Sequence, residues 1–176
     1  MPLKLFMFYV GGDCGNSNIE LHDVRFSLGT NPQACYDDLR AQWWGIPSSL
    51  HIDSWAEISQ VDGYDVILSQ DPFLGAEKLF FLNLGGYTGA DFEEVHKNVL
   101  VVATSQRVAI QKSVQAQTEW KLPHKDALMN LERAVLLSEK FKEQGLYVHL
   151  IQSGEIRPQT FTSKYTRLNL RTSSEI

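Results

Sequence analysis

With 176 residues the chain can bury about 70% of its unfolded surface, so neither a disulfide nor a metal is required for folding. Its 43% hydrophobic and 21% charged content excludes intrinsic disorder. A formal charge of -5 and a pI near 5.5 exclude a predominantly basic surface for nucleic acid or anionic membrane.

The first element is the apolar run Leu5 to Val10, which ends at Gly11-Gly12 and reads as a strand covered on both faces. This run is too short for a signal-peptide core or a membrane span. Two cysteines, Cys14 and Cys35, form neither a disulfide framework nor a zinc pattern. Together these features predict a reduced, cytoplasmic protein. A polar loop over Asp13 to Asn18 leads to a second strand, His22 to Leu28, in which His22, Val24, Phe26 and Leu28 face one way and Asp23, Arg25 and Ser27 the other. Thr30-Asn31-Pro32 starts a helix that Gly45 stops after Trp44. An alternating stretch to Ile58, the Asp62-Gly63 turn and the strand Tyr64 to Leu68 predict a hairpin; a short helix capped by Ser54 is the competing assignment.

The pattern then starts again. Lys4 to Gly29 and Lys78 to Ala103 align without a gap at an offset of 74, and eight of the 26 positions are identical, among them Gly11/Gly85, Gly12/Gly86, Glu20/Glu94 and His22/His96. Such self-similarity is to be sought before any element-level reading, because it dictates the architecture. Ser105 caps a helix running to Ala116, and His51-x-Asp53 recurs as His124-x-Asp126. In the second copy a long amphipathic helix is expected from Asp126 to Gln144, stopped by Gly145, with Leu128, Leu131, Val135, Leu136 and Phe141 near one face. The strand Leu146 to Ile151 follows, then a polar tail from Ser153 whose Thr160 to Tyr165 segment could add an edge strand. The expected fold is α+β: an internal duplication of a β-β-α-β unit, with a mixed sheet packed by helices about a pseudo-two-fold. Residues 1–73 form the first repeat, 74–152 the second and 153–176 the tail, with the repeats sharing one core.

The strings GGDCGNSNIELHDVRFSLG, LRAQWWG, LHIDSW and VDGY closely resemble the bacterial family catalogued as domain of unknown function 1543. The resemblance is strong over residues 3 to about 70 and weaker over 78 to about 128, and it implies one or two copies of the domain per chain. It implies no activity, cofactor or substrate. Lys97 stands where the first copy has Asp23, Val99 where it has Arg25, and the tandem Trp has no counterpart.

The recurring Glu-x-His is the leading candidate site, because residues two apart on a strand project together. Glu20 beside His22 can orient a catalytic base or bond at the rim of the core. Two such pairs with His51 and His124 would suffice for a transition metal, yet the simplest expectation is no metal and no cofactor. Gly11, Gly12 and Asp13 could lend backbone N–H groups to an anion, although no helix follows the loop. Arg25 suits a carboxylate or phosphate, or else pairs with a neighbour. Trp43 and Trp44 adjoin, so one packs inward and the other covers a strand junction or an interface. Cys14 lacks an activating neighbour, and His51-x-Asp53 reads as a polar strand edge or cap.

Two function classes follow. One is a non-enzymatic domain that binds a small molecule or a protein partner, with homo-oligomers among the expectations. The other is a hydrolase or transferase in which Glu20 and His22 act while Arg25 holds an anionic substrate.

Overall fold

The computed structural model describes residues 2–86, 92–116 and 131–168. The loop 87–91, the His124-x-Asp126 recurrence, residues 126–130 of the expected helix and the tail from 169 lie outside them. The chain divides into two compact units, Met1–Ser59 with Pro158–Ile176, and Gln60–Arg157.

The first unit is built on β1 (Lys4–Gly12), β2 (Leu21–Gly29), β3 (His51–Glu57) and β10 (Thr162–Arg167), in the order β10-β3-β1-β2. Between β2 and β3 the chain makes a 3-10 turn, Pro32–Cys35, and the helix α1, Tyr36–Gln42. Asn31 caps the turn by accepting the Ala34 N–H at 3.0 Å, in keeping with the Asn-Pro start signal. Phe6, Phe8 and Val10 alternate along β1 toward Cys35, Leu39, Leu50, Ile52 and Leu168, all buried, and this layer is the core of the unit.

The second unit contains two three-stranded sheets. One has the order β4-β5-β9, from β4 (Gln60–Val61), β5 (Tyr64–Ser69) and β9 (Tyr147–Gln152); the other is β7-β6-β8, from β6 (Lys78–Gly86), β7 (Val95–Ala103) and β8 (Leu131–Leu136). The β4–β5 turn places Asp62 at φ 51° and Gly63 at φ 79°, the left-handed pair that an Asp-Gly hairpin requires. The helix α2, Gln106–Gln115, is capped by Ser105, whose Oγ accepts from the Val108 N–H. It packs Ala109, Val108 and Val114 against Phe80, Leu82 and Leu84.

Every ladder among the described residues is antiparallel, so the expected mixed sheet is corrected. The β2–α1–β3 connection does join two strands of the same direction, but β1 lies between them and hydrogen-bonds to both. The crossover pattern legible in the sequence therefore skips a strand instead of making a parallel pair.

The long helix expected over Asp126 to Gln144 is also corrected within the described residues. Leu131–Leu136 is a strand, and only Leu137–Lys140 is helical (α3), followed by a 3-10 turn to Gln144. β6 has a second edge to satisfy, and β8 pairs with it from Phe80↔Leu136 to Leu84↔Leu131. Ala134 and Leu136 alternate into the core, so a period of two replaces the period that suggested a helix.

The two hairpins share one register. Lys4↔Gly29 through Gly12↔Leu21 in β1–β2 becomes Lys78↔Ala103 through Gly86↔Val95 in β6–β7, at the same offset of 74. The third strand of each is bulged at the matching place, between Tyr9 and Val10 on β1 and between Asn83 and Leu84 on β6.

Candidate functional site

Gly11 occupies the middle of a cross-strand row. It pairs with His22 on β2 and with His51 on β3. Side chains directly opposite on neighbouring strands share a face, so the two imidazoles converge over a residue that has no side chain. A Cβ on Gly11 would lie 2.7 Å from His51 Nε2 and 2.8 Å from His22 Nε2, closer than non-bonded atoms approach. Here glycine is required by the imidazoles themselves.

The bulge in β3 supplies the next group. Tyr9 pairs with Ser54 and Val10 with Ile52, which leaves Asp53 as the extra residue. Bulges re-aim side chains, and Asp53 reaches both imidazoles. Its Oδ2 is 3.3 Å from His22 Nε2 and its Oδ1 3.5 Å from His51 Nε2. On the other side of His51, Nδ1 lies 3.0 Å from the Ser49 carbonyl and 3.3 Å from Glu20 Oε1. A proton on Nδ1, donated to that carbonyl, leaves Nε2 with its lone pair toward Asp53 and the space above Gly11.

Aromatic rings wall the cluster. Tyr9 stacks on His22 at 5.2 Å between centroids and 5° between planes, and Tyr165 of β10 covers His51 at 4.7 Å. The His51 side chain is 3% exposed, whereas those of His22 and Asp53 are about one third exposed and that of Glu20 is 43% exposed. The cluster is therefore anchored on a buried imidazole and open on the Glu20–His22 side. Burial, and then the charges of Asp53 and Asp23, push the Tyr9 hydroxyl above its ordinary pKa. Asp53 Oδ2 is sealed from solvent and makes no hydrogen bond to the protein. Two imidazoles with two carboxylates can orient each other for proton transfer or hold a cation.

Glu20 and His22 are thus brought together, but through His51 and Asp53 and not as a closed pair. Of the two β3 residues, the sequence suggests His51 as a metal ligand beside the Glu-x-His pairs, and Asp53 as part of a polar strand edge or cap. The recurrence of His-x-Asp was the available signal, and a polar strand edge was the plainer explanation for it. Arg25 is elsewhere. It lies opposite Phe8, on the face of the sheet that carries the core, and its guanidinium is 2.7 Å from Asp23 Oδ2. Convergence of Glu20, His22 and Arg25 on one cleft is corrected by this register, because residues three apart on a strand face opposite sides.

The glycine-loop groups are held by the protein. A Cβ on Gly12 would meet Ser49 Oγ at 2.7 Å and the Trp43 ring at 2.8 Å, and the Asp13 N–H donates to Ser49 Oγ at 2.8 Å. Trp43 packs on the core and donates its indole N–H to the Ile46 carbonyl, while the exposed Trp44 sits 3.5 Å from Asp23 Oδ2. The two rings are 5.3 Å apart. Cys14 is partly exposed; Cys35 is fully buried, and burial pushes its thiol up.

In the second unit Glu94 Oε2 and His96 Nε2 are 3.7 Å apart. The matched bulges pair Val10 with Ile52 and Leu84 with Leu131, so β3 and β8 correspond at an offset of 79. By that count Glu132 stands in the chain where the first unit has Asp53.

Residues 17–68 match the family model described as Domain of Unknown Function (DUF1543), a span that contains Glu20, His22, His51 and Asp53. No curated protein matches the chain. The fold is similar to the crystal structure of protein Il1583 from Idiomarina loihiensis, with 28% identity, a TM-score of 0.72, and coverage of 96% of this chain and 99% of that one. The family match supports DUF1543 over the segment that builds the cluster.

Proposed function

We propose that this chain is a ligand-binding α+β protein whose site is the imidazole–carboxylate cluster of the first unit, and that its ligand is a small cation. The observation that carries this reading is the convergence of His22 and His51 over Gly11 beside the hydrogen-bond-free Oδ2 of Asp53. Oδ2 faces His22 Nε2 at 3.3 Å without a hydrogen bond, and a buried carboxylate oxygen so placed costs about 1–3 kcal/mol that a bound cation would offset. The Glu20 carboxylate adds a second negative group at the open side, while the guanidinium of Arg25 lies on the other face of the sheet, paired with Asp23.

The equal registers of the two hairpins support an internal duplication. The enzymatic alternative needed Arg25 as an anion anchor on the histidine side of the sheet, and its pairing on the core side argues against that role.

NMR of the histidine imidazoles tests the proposal, with guanidinium, methylammonium and Zn²⁺ as probes. Saturable shifts of His22 and His51 with at least one probe are expected. Shifts confined to other histidines, or none at all, would overturn the assignment.

A further inference from the structure

We infer that the cluster is a divalent transition-metal site in which His22, His51, Glu20 and Asp53 supply two imidazole nitrogens and two carboxylate oxygens. The inference rests on the cation-binding reading and specifies the cation.

The spacing supports it first. Glu20, His22 and His51 each offer a ligand atom within 4.8 Å of the others. Around a tetrahedral Zn²⁺ with bonds of about 2.1 Å, adjacent ligand atoms lie about 3.4 Å apart. Asp53 approaches each Nε2 at about that distance, but through different oxygens: Oδ2 lies 3.3 Å from His22 Nε2 and Oδ1 3.5 Å from His51 Nε2. Glu20 Oε1 lies 3.3 Å from His51 Nδ1, on the other side of that ring, and would have to swing toward Nε2 to join the set.

Donor chemistry is the second support. Two imidazoles with two carboxylates form a borderline-hard set suited to Zn²⁺, Co²⁺ or Fe²⁺, and poorly suited to Mg²⁺ or Ca²⁺, which favour oxygen alone. Outer contacts of the kind found around metal-bound histidines are also in place. His51 Nδ1 meets the Ser49 carbonyl at 3.0 Å, which fixes the ring and its tautomer. Tyr165 packs on that ring and Tyr9 on the ring of His22. Gly11 leaves space beside both rings, where a Cβ would lie 2.7 Å from His51 Nε2 and 2.8 Å from His22 Nε2.

Full-length protein stripped with chelator and titrated with Co²⁺ tests the inference, because visible absorption reports a low-symmetry nitrogen–oxygen site. One Co²⁺ per chain is expected, displaced by Zn²⁺. Affinity should fall at least about tenfold in His22→Gln and in His51→Asn and be unchanged in His96→Gln. Circular dichroism checks folding; should His51→Asn unfold, the partly exposed His22→Gln decides the matter. Absence of a one-to-one complex overturns the inference, as does uptake that survives His22→Gln or depends on His96. If guanidinium or methylammonium moves the His22 and His51 resonances while Co²⁺ and Zn²⁺ do not bind there, the metal assignment fails and the cation-site reading stands. If no probe moves them, both fail.

Discussion

Single residues carry opposite burdens at this site. Gly11 is there for the space it leaves, and His51 for a position that only burial can hold. Gly11→Ala would drive a methyl group into two imidazoles, one of them pinned by Ser49 and Tyr165. The expected result is a loss of about 1–3 kcal/mol in chemical denaturation, the ordinary cost of overpacking, together with at least a tenfold loss of Co²⁺ affinity. Retention of both would show that the rings can part without consequence. Glu20 and His22 stood out in the sequence because they recur with a spacing of two. His51 and Asp53 did not, because their meeting with His22 depends on which strand lies beside β1 and on one extra residue in that strand. That Arg25 faces away from His22 was legible from the strand alternation; that its face is the core side follows from pairing with Phe8.

Among the elements, those governed by local chemistry were the most legible. The Asn31-Pro32 start, the Ser105 cap and the Asp62-Gly63 turn are short-range features, each satisfied by backbone groups within three residues or by a positive φ. Gly63→Ala should therefore cost about 1 kcal/mol, read as a lowered denaturation midpoint with an unchanged slope, since Gly63 sits at φ 79°. A midpoint equal to that of the parent protein would mean that the hairpin relaxes into another turn. β8 shows the converse. The spacing of Leu131, Val135 and Leu136 fits a helical face, yet the open edge of β6 recruits the segment as a strand. Helix propensity differs among ordinary residues by only a few tenths of a kcal/mol, and a ladder of backbone hydrogen bonds outweighs it.

Across the whole molecule, the distribution of the chain between the units is decided by long-range pairing. Pro158 onward returns to the first unit, where β10 lines the edge of β3 and Leu168 donates its N–H to the Leu50 carbonyl at 2.9 Å. A chain ending at Arg157 would lose the cover that Tyr165 gives His51 and expose the edge of β3. Such a chain should bind Co²⁺ at least tenfold more weakly and self-associate in light scattering; a monodisperse, Co²⁺-competent truncation would contradict the role given to β10. The amino-acid sequence by itself determined the repeat, the glycine-terminated apolar strands, the caps and the Asp-Gly turn, because each depends on residues close together in the chain. Only the tertiary structure decided that the ladders are antiparallel, that β8 is a strand, and that His22, His51 and Asp53 meet above Gly11 with Glu20 on the other side of His51. Those outcomes depend on strand order and on a bulge, and both are set by contacts between segments far apart in the chain.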